Sequence, residues 1–241
     1  VGGALTSSSV STSSNLAQAS ADGASAINAM TASATTLSTA AASTGEPGSS
    51  ITATTATANS AFAVANSQSS GANTVKAELV EPVLVKTDLG GAVTASAVNS
   101  TGNVLDASAA SLKAGNSLTL SATSLASDGA VLNVQTSGST VEATNNGAMS
   151  VALTAASAGG TLDSSSIALT DNKIQSRATS ASASNTLSAT ATSLTLNAPD
   201  SVTPAVISST STVKSDFSVL SDQQVNGTVT ATTNGATAAD A

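Results

Sequence analysis

Serine hydroxyls are the most frequent reactive groups in this 241-residue chain, and the sequence gives them no ordinary base. A serine nucleophile needs a neighbour to take its proton. The usual one is histidine, and there is none. Lys113 and Lys214 follow serine-rich stretches, but each reads as a solvated charge. Paired carboxylates would suit glycoside cleavage. Glu78 with Glu81, and Asp163 with Asp171, are the nearest approximations, and both pairs read as surface charges. Sugar sites also offer aromatic platforms, and this chain has two Phe with no Trp or Tyr. Calcium needs several converging oxygens, as in D-x-D-x-D-G or G-G-x-G-x-D. Neither pattern occurs, and Asp22-Gly23 and Asp128-Gly129 read as turns. The pairs Gly2-Gly3, Gly90-Gly91 and Gly159-Gly160 lack phosphate-loop spacing. With no Cys there is neither a disulfide nor a thiolate metal site. The expectation is a non-enzyme with no catalytic residues, no cofactor and no bound metal.

Charge narrows the partners. Six Lys and Arg against 14 Asp and Glu give a net charge of -8. Phosphate binding needs clustered cations, so nucleic acid is not expected. No apolar run reaches 18 residues, so no membrane span is expected. The chain starts at Val1, which reads as a mature start after removal of a secretory signal. Thr-x-Thr occurs at Thr52–Thr54, Thr55–Thr57, Thr190–Thr192 and Thr230–Thr232. Regular Thr pairs on a flat face can match ice, but Thr also simply favours exposed strand positions. The spacing here looks too irregular for one flat array.

The elements that carry these residues show in repeated phrases. V-G-G-A-L-T-S-S-S opens the chain, returns at Leu89 as L-G-G-A-V-T-A-S-A, and again at Val225 as V-N-G-T-V-T-A-T-T. Asn116–Leu125 (N-S-L-T-L-S-A-T-S-L) resembles Asn185–Leu194 (N-T-L-S-A-T-A-T-S-L). Each phrase is a turn pair followed by alternation. Leu118, Leu120 and Ala122 share one parity; so do Met149, Val151 and Leu153, then Val93, Ala95 and Ala97, then Phe217 and Val219. Period two is the strand signature. Asn and Gly supply the turns between strands. The Ala-rich stretch Asn15–Ala42 admits a helical reading. Frequent Ser and Thr argue against it, and Ile27, Ala29 and Thr31 alternate there too.

Residue size then chooses among all-β folds. A sandwich core wants large side chains from both sheets. Only 46 residues are Val, Leu, Ile or Phe, and inward positions are often Ala, Ser or Thr. Small interiors suit stacked coils, with like residues in ladders and Asn ladders adding hydrogen bonds at corners. The expected fold is all-β, a β-solenoid or stacked β-strand repeat architecture that assembles into a filament. Pro47, Pro82, Pro199 and Pro204 mark joints, because proline cannot donate to a central ladder. The expected organisation is an N-terminal assembly segment over 1–45, a central body over 46–198 and a C-terminal assembly segment over 199–241. Leu79–Val85 reads either as an exposed strand that pairs with another subunit or as a core strand bulged at Pro82.

The phrases A-T-A-N-S-A-F-A-V, S-G-A-N-T-V, G-G-A-V-T-A-S-A and A-S-N-T-L-S-A-T-A-T resemble low-complexity β-repeat proteins of bacterial surfaces. In particular the chain resembles holdfast-anchor and curli-associated fibre proteins, from about Ile51 to Thr232. The curli Ser-x5-Gln repeat is not evident. The resemblance implies an exported structural fibre at the cell surface, for attachment or biofilm matrix. Its partners would be copies of itself, with extracellular polysaccharide or other surface fibre proteins as further candidates. The phrase shared by both ends suggests end-to-end association. The expected subunit-interface residues are Val1, Gly2, Gly3, Leu5, Val80, Val83, Val85, Val225, Asn226, Gly227 and Val229. The alternatives are a monomeric adhesin stalk or autotransporter-like passenger, and an ice-binding β-solenoid.

Overall fold

The computed structural model describes residues 2–38, 49–52, 57–80, 84–153, 162–196, 212–235 and 237–240. All regular elements among these residues are strands. Within the Ala-rich stretch read two ways above, Leu16–Ser38 is one long strand, as its alternation indicates. The four prolines lie outside the described residues.

The chain makes three passes. The first contains β1 (Leu5–Thr6), β2 (Ser9–Ser13), β3 (Leu16–Ser38), β4 (Ser49–Thr52), β5 (Thr57–Asn59), β6 (Phe62–Ser70), β7 (Thr74–Leu79) and β8 (Leu84–Leu89). The second contains β9 (Val93–Thr94), β10 (Ala97–Thr101), β11 (Val104–Ala126), β12 (Gly129–Ser137), β13 (Thr140–Asn145) and β14 (Ala148–Leu153). The third contains β15 (Leu162–Asp163), β16 (Ser166–Thr170), β17 (Lys173–Leu194), β18 (Thr212–Ser215), β19 (Phe217–Val225), β20 (Val229–Thr233) and β21 (Thr237–Asp240). Six parallel sheets follow, each with the second-pass strand in the middle: β1-β9-β15, β2-β10-β16, β3-β11-β17, β6-β12-β19, β7-β13-β20 and β8-β14-β21. The N-terminal, central and C-terminal segments thus share sheets.

The sequence phrases are the register. Leu5 pairs with Val93, the 88-residue offset of the first repeat. Asn116 pairs with Asn185, the 69-residue offset of the second. The phrase at Val225 stacks elsewhere: Val225 pairs with Ser137 and Val229 with Val141, in different sheets from Leu5. Most of the inequality comes from segments inserted at one corner, across which the first-pass offset falls from 88 to 67; it then falls to 66 and 64 at the next two corners. Between β11 and β12 the chain turns within Ser127 and Asp128, whereas passes one and three are longer there. Those longer segments meet across the corner, where β4 pairs antiparallel with β5 and with β18. The Ala61 N–H donates to Asp128 Oδ1 at 2.7 Å, and Ala58 packs against Ala130, Leu132 and Leu220.

Among the described residues six take a left-handed backbone, and they form two columns. Ser7, Ala95 and Ser164 turn the chain between the first two strands of each pass; Ser14, Gly102 and Asp171 turn it into the long strand. This corrects two sequence readings. The parity of Val93, Ala95 and Ala97 breaks at Ala95, so Val93 and Val98 carry the core there. Asp22-Gly23 is not a turn but lies within β3. A Cβ at Gly23 would collide with the Ser111 carbonyl of the neighbouring strand. Glycine thus permits a close backbone approach where the ladder skips a pair. Asp128-Gly129 does stand at a corner.

The interior between β11 and the returning strands is layered. Leu118, Leu120, Leu125, Val131 and Val64 form one apolar layer. Ala107, Ala109, Ala77, Val141 and Ala143 form a narrower one. Between them lies a polar layer. Asn116 Nδ2 donates to the Leu132 carbonyl, Gln135 Nε2 to the Ser182 carbonyl, and Ser137 Oγ to Ser111 Oγ. Leu105, Met149 and Leu79 follow, then Leu89, Val93, Val98 and Val151. Phe217 packs on the Leu118 layer, while Ile27 faces outward at 83% exposed.

Candidate functional site: the two open faces of the stack

Every three-stranded sheet has two edges. In the six parallel sheets all first-pass edges lie on one face of the stack and all third-pass edges on the other. Each face offers a row of backbone N–H and C=O groups, including the 23-residue β3 and the 22-residue β17. Long edge strands are templates for pairing with another chain unless Pro, Lys or bulges blunt them. The described part of β3 carries one charge, Asp22, and β17 carries Lys173 and Arg177.

Side chains stack in columns between these faces. Asn15 Nδ2 donates to Asn103 Oδ1 at 2.8 Å, and Asn103 Nδ2 to Asn172 Oδ1 at 2.9 Å. Asn28 Nδ2 donates to Asn116 Oδ1 at 3.0 Å, and Asn116 Nδ2 to Asn185 Oδ1 at 2.9 Å. The glutamine column runs the other way: Gln223 Nε2 donates to Gln135 Oε1 at 2.7 Å, and Gln135 Nε2 to Gln68 Oε1 at 2.8 Å. A serine column joins them, with the Ser8 N–H on Ser96 Oγ and the Ser96 N–H on Ser165 Oγ. One column stops short. Asn66 Nδ2 donates to Asn133 Oδ1 at 2.7 Å, but Ser221 stands at the third position. The buried Asn133 Nδ2 has no protein partner.

Charged groups pair locally. Asp106, almost fully buried, accepts from Arg177 at 2.6 Å and from Gln18 at 3.3 Å, a mixed column on the outer face of β11. Lys113 pairs with Asp22 at 2.6 Å, a solvated charge as read above. Lys76 pairs with Glu78 at 2.7 Å. Hydrogen bonding to Glu78, then its negative charge, raises the Lys76 pKa above 10.5. The pair therefore contributes below that pH and is lost as pH rises through the folded value; exposure and salt screening keep it weak. Asp163 ends β15, beyond the Ser164 corner, and Asp171 follows the far end of the five-residue β16. Such a strand spans roughly 16 Å, too far for paired carboxylate chemistry. Glu81 and the side chain of Lys214 lie outside the described residues.

The expected interface residues fall as follows. Leu5 is half-buried against Leu89 and Val93, and Gly2 and Gly3 are exposed before it. Val85 is half-buried near Leu79 and Met149, while Val80 is 63% exposed. Val225 and Val229 are exposed on the third-pass face with Asn226, and Gly227 sits over the Ser139 carbonyl. Val1 and Val83 lie outside the described residues. The structure does not bring the Leu5 and Val225 groups into one sheet. Sequence reading missed the Asn15 and Gln68 columns. Carrying the 88 and 69 offsets along the whole first half finds Asn15, Asn103 and Asn172 at once.

Compared with protein-family models, with curated proteins and with solved structures, the chain matches none.

Proposed function

We propose that this chain is a non-enzymatic structural module, a short β-solenoid that stacks on copies of itself into an extracellular fibre. One observation carries the reading: among the described residues, both ends of the three-pass stack are open edges on which columns of like residues end without a cap. Fibre subunits need such a heterologous contact that does not close. The exposed apolar side chains fit the same surface. Leu16 and Met30 lie on the first-pass strand β3; Leu194, Val219, Val225 and Val229 lie on third-pass strands. Surface attachment or matrix formation is the role such a fibre would serve.

A second reading rests on the corner where β4, β5 and β18 meet. Two inserted segments gathered at one place are what a monomeric stalk would use to present loops. Sedimentation at two widely separated concentrations decides. A fibre subunit grows into large species at the higher concentration; a stalk remains monomeric at both.

A further inference from the structure

Building on that reading, we infer that a second copy docks head to tail in one fixed register, with its first pass seated on the third pass of the copy before it. The polarity of the amide columns argues this. Both asparagine columns donate from the first pass towards the third. They leave amide hydrogens of Asn172 and Asn185 at the third-pass face and the carbonyl oxygens of Asn15 and Asn28 at the first-pass face. Each of these third-pass amides spends one hydrogen on a backbone carbonyl, of Ser100 or Leu220, and keeps another. The glutamine column has the reverse sense. It presents the Gln68 amide at the first-pass face and the Gln223 carbonyl at the third-pass face.

Head-to-tail contact therefore sets donor against acceptor in all three columns. First-pass against first-pass, or third against third, sets like against like.

Continuing the observed pairing fixes the register. Val104 pairs with both Leu16 and Lys173, so Lys173 comes to lie beside Leu16 of the next copy. Asn172 then meets Asn15, Asn185 meets Asn28, Leu187 meets Met30 and Leu194 meets Leu37. Gln223 meets Gln68 through their shared pairing with Gln135. The left-handed corners continue as well, Ser164 on Ser7 and Asp171 on Ser14. Among the described strands one like-charge pair results, Asp240 beside Asp88. Lys86 already pairs with Asp88 at 2.9 Å.

The natural absence of Cys allows a direct test. Thr31 and Ser188 both pair with Thr119 and are exposed. Within one copy they are two strand spacings apart, about 9.6 Å, beyond disulfide reach. Between copies in the inferred register they are adjacent strand partners. The double variant Thr31→Cys/Ser188→Cys is oxidised mildly after assembly and compared with Ser33→Cys/Ser188→Cys, whose second thiol is displaced along the strand. Covalent multimers from the first pair, with the second staying monomeric on a non-reducing gel, are expected. Each single variant shows whether like faces meet, through covalent dimers. Assembly with equal or no cross-linking from the two pairs overturns the register while leaving the fibre reading in place. Failure of the unmodified chain to assemble overturns both.

Discussion

At the residue scale, backbone conformation and close approach decide which substitutions matter. Ala95 holds a φ of 47°, which costs an L-residue about 1–2 kcal/mol. Ala95→Gly relieves that strain while loosening the unfolded chain. A net gain of up to about 1 kcal/mol in urea unfolding is expected. Gly227 is the opposite case, because its Cβ would run into the Ser139 carbonyl, which is backbone and cannot swing away. Gly227→Ala is expected to cost about 1–3 kcal/mol, whereas Gly2→Ala, with open space around it, should leave the urea midpoint unchanged. The interrupted asparagine column supplies a third case. Ser221→Asn gives the buried Asn133 amide an acceptor, and a gain of about 1 kcal/mol is expected. Ser221 is exposed, so a loss would mean that the longer side chain turns to solvent without reaching the Asn133 amide.

At the element scale, position in the stack outweighs side-chain identity. Leu118 is fully buried in the second pass, and its stacked partner Met30 is 40% exposed in the first. Leu118→Ala should cost about 2–5 kcal/mol and Met30→Ala much less, as measured by denaturant unfolding. Part of this was legible in the sequence. Alternation at Leu118–Ala122 and Met149–Leu153 marked strands, and the two repeated phrases held the true offsets. Other parts were not legible. Ile27 alternates as well as Leu118 does, yet faces water, because periodicity gives a parity without saying which parity points inward. Asp22-Gly23 reads as a turn until the Ser111 carbonyl is seen against it. The phrase at Val225 resembles the opening one because both follow the same turn chemistry, not because they share a sheet.

At the scale of the whole molecule, the middle pass is covered on both sides and each outer pass on one. Burial and hydrogen bonding are therefore concentrated in residues 93–153, and the outer passes gain most from a further layer. A copy stacked on either face binds the folded form alone, so the melting temperature should rise with protein concentration. A melting temperature independent of concentration would assign the edges to a monomer. The candidate faces were only partly visible beforehand. The terminal phrases drew notice to the chain ends, but the faces comprise whole passes, which parallel pairing over 64 to 88 residues brings together.

The measurement that bears most directly on stacking is electron microscopy of the assembled protein, with the axial repeat read from its diffraction. Three strand layers per copy give a strand spacing near 4.8 Å along the fibre axis and a subunit repeat of about 14 Å. Filaments with both spacings on the axis are the expected result. Discrete particles at high concentration, or filaments whose strand spacing lies across the axis, would contradict the account.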